Sequence, residues 1–415
     1  MFLIYSILYT IAICVLFIPQ YVRRPQALRK KWLYEKLGYL PSVGSSIWVH
    51  AVSVGEVNAS IPLLKKLRNV YGDIPILLST ITDTGQNVAE EKAPEGTEVV
   101  YLPFDMPFIL NRCLKRVSPR IFIVIETELW PNIFKAMGER EIPVLLLNGR
   151  ISESSAKGYR LISFFMKKVF SYVTSFAMQA GIDAERLVLI GADNDTILVN
   201  GNFKFDVDIA GTIPLWAKKL SGPLVVAGST HRGEEELVLS VYRDTIERFP
   251  DLKIIMAPRH PDRFKEVAAL LANNQIPFVK RSDLDIRHLA PELVASGIIL
   301  LDTVGELAGV YGAADVAIIG KSFNGFGGQN PLEPAYWGKP IICGPHMENF
   351  PFIEEFYQTG AAFKVEAHTL SRMVHELLAF PEKAATAGKI ARDVYLKHSG
   401  AVDRAMKIIE AHLRT

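Results

Sequence analysis

The run "HAVSVGEVNAS" (His50–Ser60) sets Ser53, Gly55 and Glu56 where an apolar stretch gives way to an amphipathic one. A glutamate so placed can act as general base and take a proton from an attacking hydroxyl. A carboxylate in a helix's first turn is also favoured electrostatically, so helix capping is the competing reading. "IVIETELWPN" puts Glu126 and Glu128 on one face at the end of another apolar run. They read either as part of the same acid–base site or, with Arg150 of "NGRIS", as a structural salt bridge.

The C-terminal half carries a different chemistry. "AGSTHRGEEE" presents Ser229 and Thr230, "APRHPDRF" presents Arg259 and His260, and "LLDTVGEL" presents Thr303 and Glu306. An arginine and a histidine directly after an apolar run are costly there unless they meet an anion. The loop Lys321–Asn330 holds Ser322, Gly325, Gly327, Gly328 and Gln329, and a helix is expected from Asn330 or Glu333, with Pro331 or Pro334 in its first turn. Glycines before a helix start let an anion approach free amides. The loop lacks the Gly-Lys-Ser/Thr of a Walker loop, and it lies too late in its domain for a dinucleotide fingerprint. Glu333 suits a ribose diol, since a carboxylate accepts two hydrogen bonds; its alternative is a capping box with Asn330.

These residues need rigid elements behind them. From Ser46 to Arg150, near-continuous Val/Ile/Leu runs alternate with helical patterns, and the alternation resumes from Leu224 to His346. Strands of this kind are covered on both faces, as in parallel sheets, and the alternation means βαβ units. The expected fold is α/β, with two tandem doubly wound, Rossmann-like domains facing a cleft, joined near Asp206–Trp216. Ligands of such sheets bind beyond the carboxyl ends of the strands. The expected divisions are 1–22 as an anchor, 23–206 as the first domain, 207–390 as the second, and 391–415 as the end of one long helix, about Glu382–Leu413, crossing back to the first.

Composition narrows the classes. The chain of 415 residues has 46 basic and 44 acidic side chains, so no global field favours nucleic acid. Cys14, Cys113 and Cys343 are far apart, match no metal spacing and suggest a reducing compartment. Met1–Val22 carries no charge and is followed by Arg23, Arg24, Arg29, Lys30 and Lys31. That order is the reverse of a cleavable signal's, and it predicts a membrane-associated N-terminus with the body on the cytoplasmic side. The basic cluster is expected to meet anionic headgroups.

Nine motifs in order, "HAVSVGEV", "STITDTG", "IETELWPN", "LNGRIS", "GNFKFD", "GSTHRGEE", "APRHPDRF", "DTVGEL" and "GGQNPLEP", resemble those of the 3-deoxy-D-manno-octulosonic acid (Kdo) transferases of lipopolysaccharide synthesis. The resemblance implies a GT-B fold and an inverting transfer of Kdo from CMP-Kdo to the lipid A precursor, at the cytoplasmic face of the inner membrane, with no metal and no cofactor. It implies Glu56 as catalytic base and donor binding at Arg259, Gly327, Gly328, Gln329, Asn330 and Glu333. The positions of the residues at strand ends add Glu126 and Glu128 beside the base, Ser53, Gly55 and Arg150 on the acceptor side, and Ser229, Thr230, His260, Thr303, Glu306 and Ser322 on the donor side. The competing readings are another GT-B enzyme, such as a UDP-sugar transferase or a 2-epimerase, and a non-catalytic membrane-anchored nucleotide-sugar binding protein.

Overall fold

A computed structural model describes residues 1–206, 211–284, 297–325 and 327–413; the expected join near Asp206–Trp216 lies partly outside them. The chain forms two compact units, Met1–Val207 with His398–Thr415, and Asp208–Lys397.

The first unit is built on seven parallel strands: β1 (Ser46–His50), β2 (Ile76–Thr80), β3 (Thr97–Tyr101), β4 (Pro119–Ile125), β5 (Val144–Gly149), β6 (Ser175–Met178) and β7 (Ile197–Val199). Their order is β3-β2-β1-β4-β5-β6-β7. Alternate side chains of each apolar run feed opposite cores. Trp48, Leu77, Phe122 and Leu146 pack on one face, and Ile47, Leu78, Ile123 and Leu145 on the other. The chain steps outward from β1 to β2 and β3, then returns to lay β4 on the other side of β1. The gap between β1 and β4 is therefore the topological switch point.

The second unit repeats the plan with β8 (Leu224–Thr230), β9 (Lys253–Pro258), β10 (Phe278–Lys280), β11 (Gly297–Leu300), β12 (Val316–Ile319), β13 (Ile341–Cys343) and β14 (Ala362–Lys364), in the order β10-β11-β9-β8-β12-β13-β14. Its switch point lies between β8 and β12. Both sheets match the α/β expectation. The short strands β6, β7 and β14 are not apparent in the sequence, because three or four apolar residues do not stand out from a loop.

The long terminal helix expected from Glu382 is broken into Pro381–His398 and Ala401–Leu413. The break has a partner far back in the chain. The Asp206 carboxylate accepts the amides of Gly400 (2.5 Å) and Val402 (2.6 Å), capping the last helix. Asn200 adds a bond to the Ala401 carbonyl, and Val402, Ala405 and Ile409 join Phe203 in the first unit's core.

The basic residues after the apolar helix Phe2–Arg23 are largely engaged within the protein. Arg24 pairs with Asp83 and lies over the rings of Trp32 and Tyr101, Lys31 pairs with Glu90 at 2.7 Å, and Arg29 bonds the carbonyls of Val22 and Arg24. Arg23 and Lys30 are exposed.

Replacing Asp206 by alanine removes two charge-assisted caps. It should lower stability by about 1–2 kcal/mol, read as a lower urea midpoint with the slope unchanged.

Candidate active site

At the end of β1 the chain enters the helix Val54–Val70, and Glu56 falls in its first turn. The carboxylate is held on both oxygens, by the Val52 amide at 2.7 Å and the Ser53 hydroxyl at 2.9 Å. Ser53 occupies the N-cap position but makes no side-chain cap bond. Its hydroxyl orients the glutamate instead. Glu56 is only 9% exposed, and burial pushes its carboxyl up to about 7. The charges of Glu126 and Glu128 push the same way, while the bonds from Val52 and Ser53 oppose them. A side chain added at Gly55 would meet nothing closer than Ser53 Oγ at 3.9 Å. The space outside Gly55, one residue before Glu56, is open.

Glu126 and Glu128 follow β4, so the β1–β4 switch point gathers three carboxylates. Glu126 takes a left-handed backbone (φ 62°), an uncommon conformation for a residue with a side chain. Burial raises its carboxyl, and the charges of Lys204 and Arg150 hold it down. Glu128 is pushed up to about 7 by burial and by Glu126. Among the described residues no ion pair joins Arg150 to either glutamate. Arg150 is exposed, and it is its backbone that is fixed, its amide donating to Thr127 Oγ1 at 2.8 Å.

Lys204, within "GNFKFD", is a site residue that sequence reasoning missed. Burial lowers its ammonium and Glu126 raises it. Its neighbours Phe203 and Phe205 are buried, and Asn148, left-handed at the end of β5, accepts the Phe203 amide at 2.9 Å. A lysine between two phenylalanines was the available signal.

In the second unit, the candidates at the switch point divide into engaged and available groups. Glu234 ties the two loops together. Its carboxylate accepts the amides of His231 (2.9 Å), Lys321 (2.6 Å) and Phe323 (3.0 Å). Thr230 is buried and donates to Glu235, which also pairs with Arg263. Ser322 is fully buried between the Ile319 carbonyl and the Gly344 amide. Glu306 accepts from Thr303 (2.5 Å), Trp216 (3.0 Å) and Arg281 (3.1 Å), which hold its carboxyl below the usual range against the opposing effect of burial. Thr230, Ser322, Thr303 and Glu306 therefore brace the loops.

Arg259 and His260, after β9, are exposed, and Ser229 (φ 56°), Gln329, Asn330 and Glu333 are half-buried. The Glu333 carboxyl is pushed up to about 7 by burial, against a bond from Asn330 and the charge of Arg259. Asn330 also accepts the Leu332 amide at 3.1 Å, while the N-cap position is held by Pro331, without a side-chain cap bond. Lys321, left-handed (φ 55°) at the end of β12, adds a cation unforeseen from the sequence.

The glycine pair has an unexpected neighbour. Gly327 (φ 113°) and Gly328 (φ 67°) need left-handed backbone, and side chains on them would strike Asn349 and Met347. The Gly327 amide donates to Glu348 at 2.7 Å and the Gly328 amide to the Lys321 carbonyl at 3.1 Å. Close approach is thus made by the protein's own segment 347–349. The following helix, Leu332–Tyr336, has only five residues, so its dipole is small. Among the described residues, no group of three His, Cys, Asp or Glu side chains is placed to hold a metal ion.

Solved structures share this architecture. A glycosyltransferase from Rickettsia africae superposes with TM-score 0.55 at 15% identity, over 90% of this chain and all of that one. A UDP-GlcNAc 2-epimerase from Neisseria meningitidis bound to UDP-GlcNAc gives TM-score 0.56 at 12% identity, over 89% and 100%. The fold is that of the GT-B proteins.

Sequence relatives narrow the class. The family model for 3-deoxy-D-manno-octulosonic-acid transferase (kdotransferase) matches residues 30–207. The 3-deoxy-D-manno-octulosonic acid transferase of Haemophilus influenzae is 33% identical over 378 residues, 88% of this chain and 87% of that protein. That of Bordetella pertussis is 32% identical, over 89% and 87%. The chain belongs to the Kdo transferase family and is a glycosyltransferase.

The Glu128 carboxyl binds its proton more tightly in the folded state, at about 7 against an ordinary 4.5. Its contribution to stability is fully present below the unfolded value and is lost as pH rises through about 7. Glu128→Gln should therefore raise the urea midpoint at about pH 8 and leave it unchanged near pH 4.

Proposed function

We propose that this protein transfers Kdo from CMP-Kdo to the lipid A precursor, lipid IVA, in lipopolysaccharide core synthesis, at the cytoplasmic face of the inner membrane. Glu56 carries the reading: a nearly buried carboxylate at the β1–β4 switch point, held on both oxygens, with its proton affinity brought close to neutral pH. A base with that affinity is ionised often enough to accept a hydroxyl proton and strong enough to remove it.

The step is a single displacement with inversion. The acceptor oxygen gives its proton to Glu56 and bonds to the anomeric carbon of Kdo as that carbon's bond to the CMP phosphate breaks. The electron pair leaves with the phosphate, and Arg259 and Lys321 are cations of the second unit for that charge, with His260 as a hydrogen-bonding group next to Arg259. No metal is needed in this scheme, because positioned cations and amides supply the stabilisation. Gln329 and Asn330 flank the nucleotide, and Glu333 takes the ribose hydroxyls. The amides of Gly327 and Gly328 join only if Glu348 and the Lys321 carbonyl release them. On the acceptor side, Ser53 orients Glu56 and Arg150 is a cation for a lipid phosphate.

Glu56→Gln should lower transfer by at least about 10²-fold while CMP affinity stays within a few-fold. Single-turnover rates and calorimetry with CMP read the two separately; undiminished transfer removes Glu56 from the mechanism. Tighter binding of UMP than CMP would favour a UDP-sugar enzyme. With wild-type protein, kcat/KM should rise with pH through an apparent pKa near 7. Glu126→Gln should move that limb to lower pH, because removing a neighbouring negative charge makes Glu56 easier to ionise. A salt-bridge role for Glu126 alone would leave the limb in place.

Gly55→Ala offers a separate check. The substitution suits a helix and meets no close atom in the protein, so stability should hold or rise. Transfer should fall, with KM for the acceptor raised, since the methyl group fills open space on the side assigned to the acceptor; unchanged kinetics would take Gly55 off that side.

A further inference from the structure

The helix Phe2–Arg23 is long and apolar enough to cross a membrane. Its packing gives it another orientation. Phe2, Tyr5, Tyr9, Ile13, Phe17 and Tyr21 recur at helical spacing and are the half-buried residues of one face. That face is docked on the first unit from end to end. The Phe2 ring lies 5.4 Å from Phe165, and the rings of Phe17 and Tyr21 lie 5.9 and 6.3 Å from Trp32. The contacts between are polar. Tyr5 donates to the Asp105 carboxylate at 2.8 Å, Tyr9 Oη accepts the Asp105 amide at 3.3 Å, and Asn132 donates to Ser6 Oγ at 3.0 Å.

Asp105 is 1% exposed and also accepts the amides of Asn132 and Ile133, so its position is fixed independently of the helix. Turning this face to hydrocarbon would leave the tyrosine hydroxyls without partners and bare the apolar surface around Trp32 and Phe104. A helix covered along its length by a polar domain cannot cross a bilayer while that domain stays in water.

The opposite face is apolar and uncovered. Leu3, Leu8, Val15 and Ile18 are 61–72% exposed. On one flank, a groove of about 670 Å³ runs between Leu3, Ile7 and Ile11 and the exposed Phe108, with Lys135, Glu139 and Arg140 on its lining. At the helix's N-terminal end, Phe164, Lys167, Lys168 and Asp193 line a second cavity with Met1. Apolar side chains flanked by four cations and two carboxylates carry a net positive charge, which is complementary to a leaflet with anionic headgroups.

We propose that this helix lies in the plane of the membrane rather than across it: its tyrosine face stays on the protein, and its outward face, with Phe108 and Phe164, enters one leaflet of an anionic bilayer. The binding is monotopic, and both chain ends lie on the same side of the membrane. This holds whatever sugar the enzyme transfers.

The test uses the full chain with a protease-cleavable epitope at each end, in sealed inside-out vesicles from expressing cells. Both epitopes should be cleaved by added protease; protection of the N-terminal epitope alone would overturn the proposal. A second measurement keeps the helix docked, with Phe2→Cys and Phe165→Cys joined by a bifunctional maleimide in a Cys14→Ser background. The cross-linked protein should still sediment with membranes, and its release would refute in-plane binding. Purified protein should bind vesicles of phosphatidylcholine plus phosphatidylglycerol about tenfold more tightly than phosphatidylcholine alone, and Lys167→Gln with Lys168→Gln should erase most of that difference. A chain that forms a stable dimer through this face and ignores vesicles would equally defeat it.

Discussion

A carboxylate at the end of a buried parallel strand is the constraint around which the first unit is arranged. Glu56 cannot turn to water. Its oxygens are held by an amide two residues before the helix and by the hydroxyl at the helix's N-cap position. Both bonds favour the charged form, and burial with two neighbouring carboxylates disfavours it. The balance comes out near neutrality, where a proton acceptor is most effective. Removing either side of that balance would leave a permanently ionised spectator or a permanently protonated acid. Direct pairing of β1 with β4 sets the second strand end beside the first, and the chain turns left-handed at Glu126 as it leaves β4.

The second unit uses its acidic residues differently. Glu234 and Glu235 are buried first-turn carboxylates, and they stitch loops together instead of doing chemistry. Three amides from two strand ends converge on Glu234 alone. The frame holds half-buried Lys321 by its amide, and the amide of exposed Arg259 bonds the Thr230 carbonyl at 3.0 Å, so both residues are fixed through the main chain. The glycine pair belongs to the same frame. Its lack of side chains admits the segment 347–349, which in turn brings the Glu348 carboxylate to the Gly327 amide. The Gly327 amide is thereby taken by the protein's own carboxylate.

The N-terminal helix divides its faces in a similar way. An apolar helix of 22 residues can satisfy its backbone alone and needs a place only for its side chains. Tyr5 and Tyr9 give one face polar tips as well as apolar bodies, and the buried Asp105 beneath them supplies the partner. The remaining face is apolar and uncovered.

Much of this was legible without coordinates. The strand runs from Ser46 to Arg150 and from Leu224 to His346, the α/β class, the apolar N-terminus and the positions of Glu56, Glu126, Glu128, Arg259 and Glu333 after strands follow from local pattern, because burial on both faces and helical periodicity are written in neighbouring residues. What local pattern lacked was the sheet order, which makes β1 and β4, or β8 and β12, neighbours across long stretches of chain. It also lacked the engagement of each polar group. Thr230, Ser322, Thr303 and Glu306 look like ligand residues in a motif, and they are taken up by protein partners. Lys204 and Lys321 looked unremarkable, and they stand at the sites. By itself, then, the sequence determined which elements form and which chemical groups follow them. The tertiary structure alone decided which groups meet and which remain available, because a hydrogen bond such as Glu234 to Lys321 or Asp206 to Gly400 depends on residues that only folding brings together.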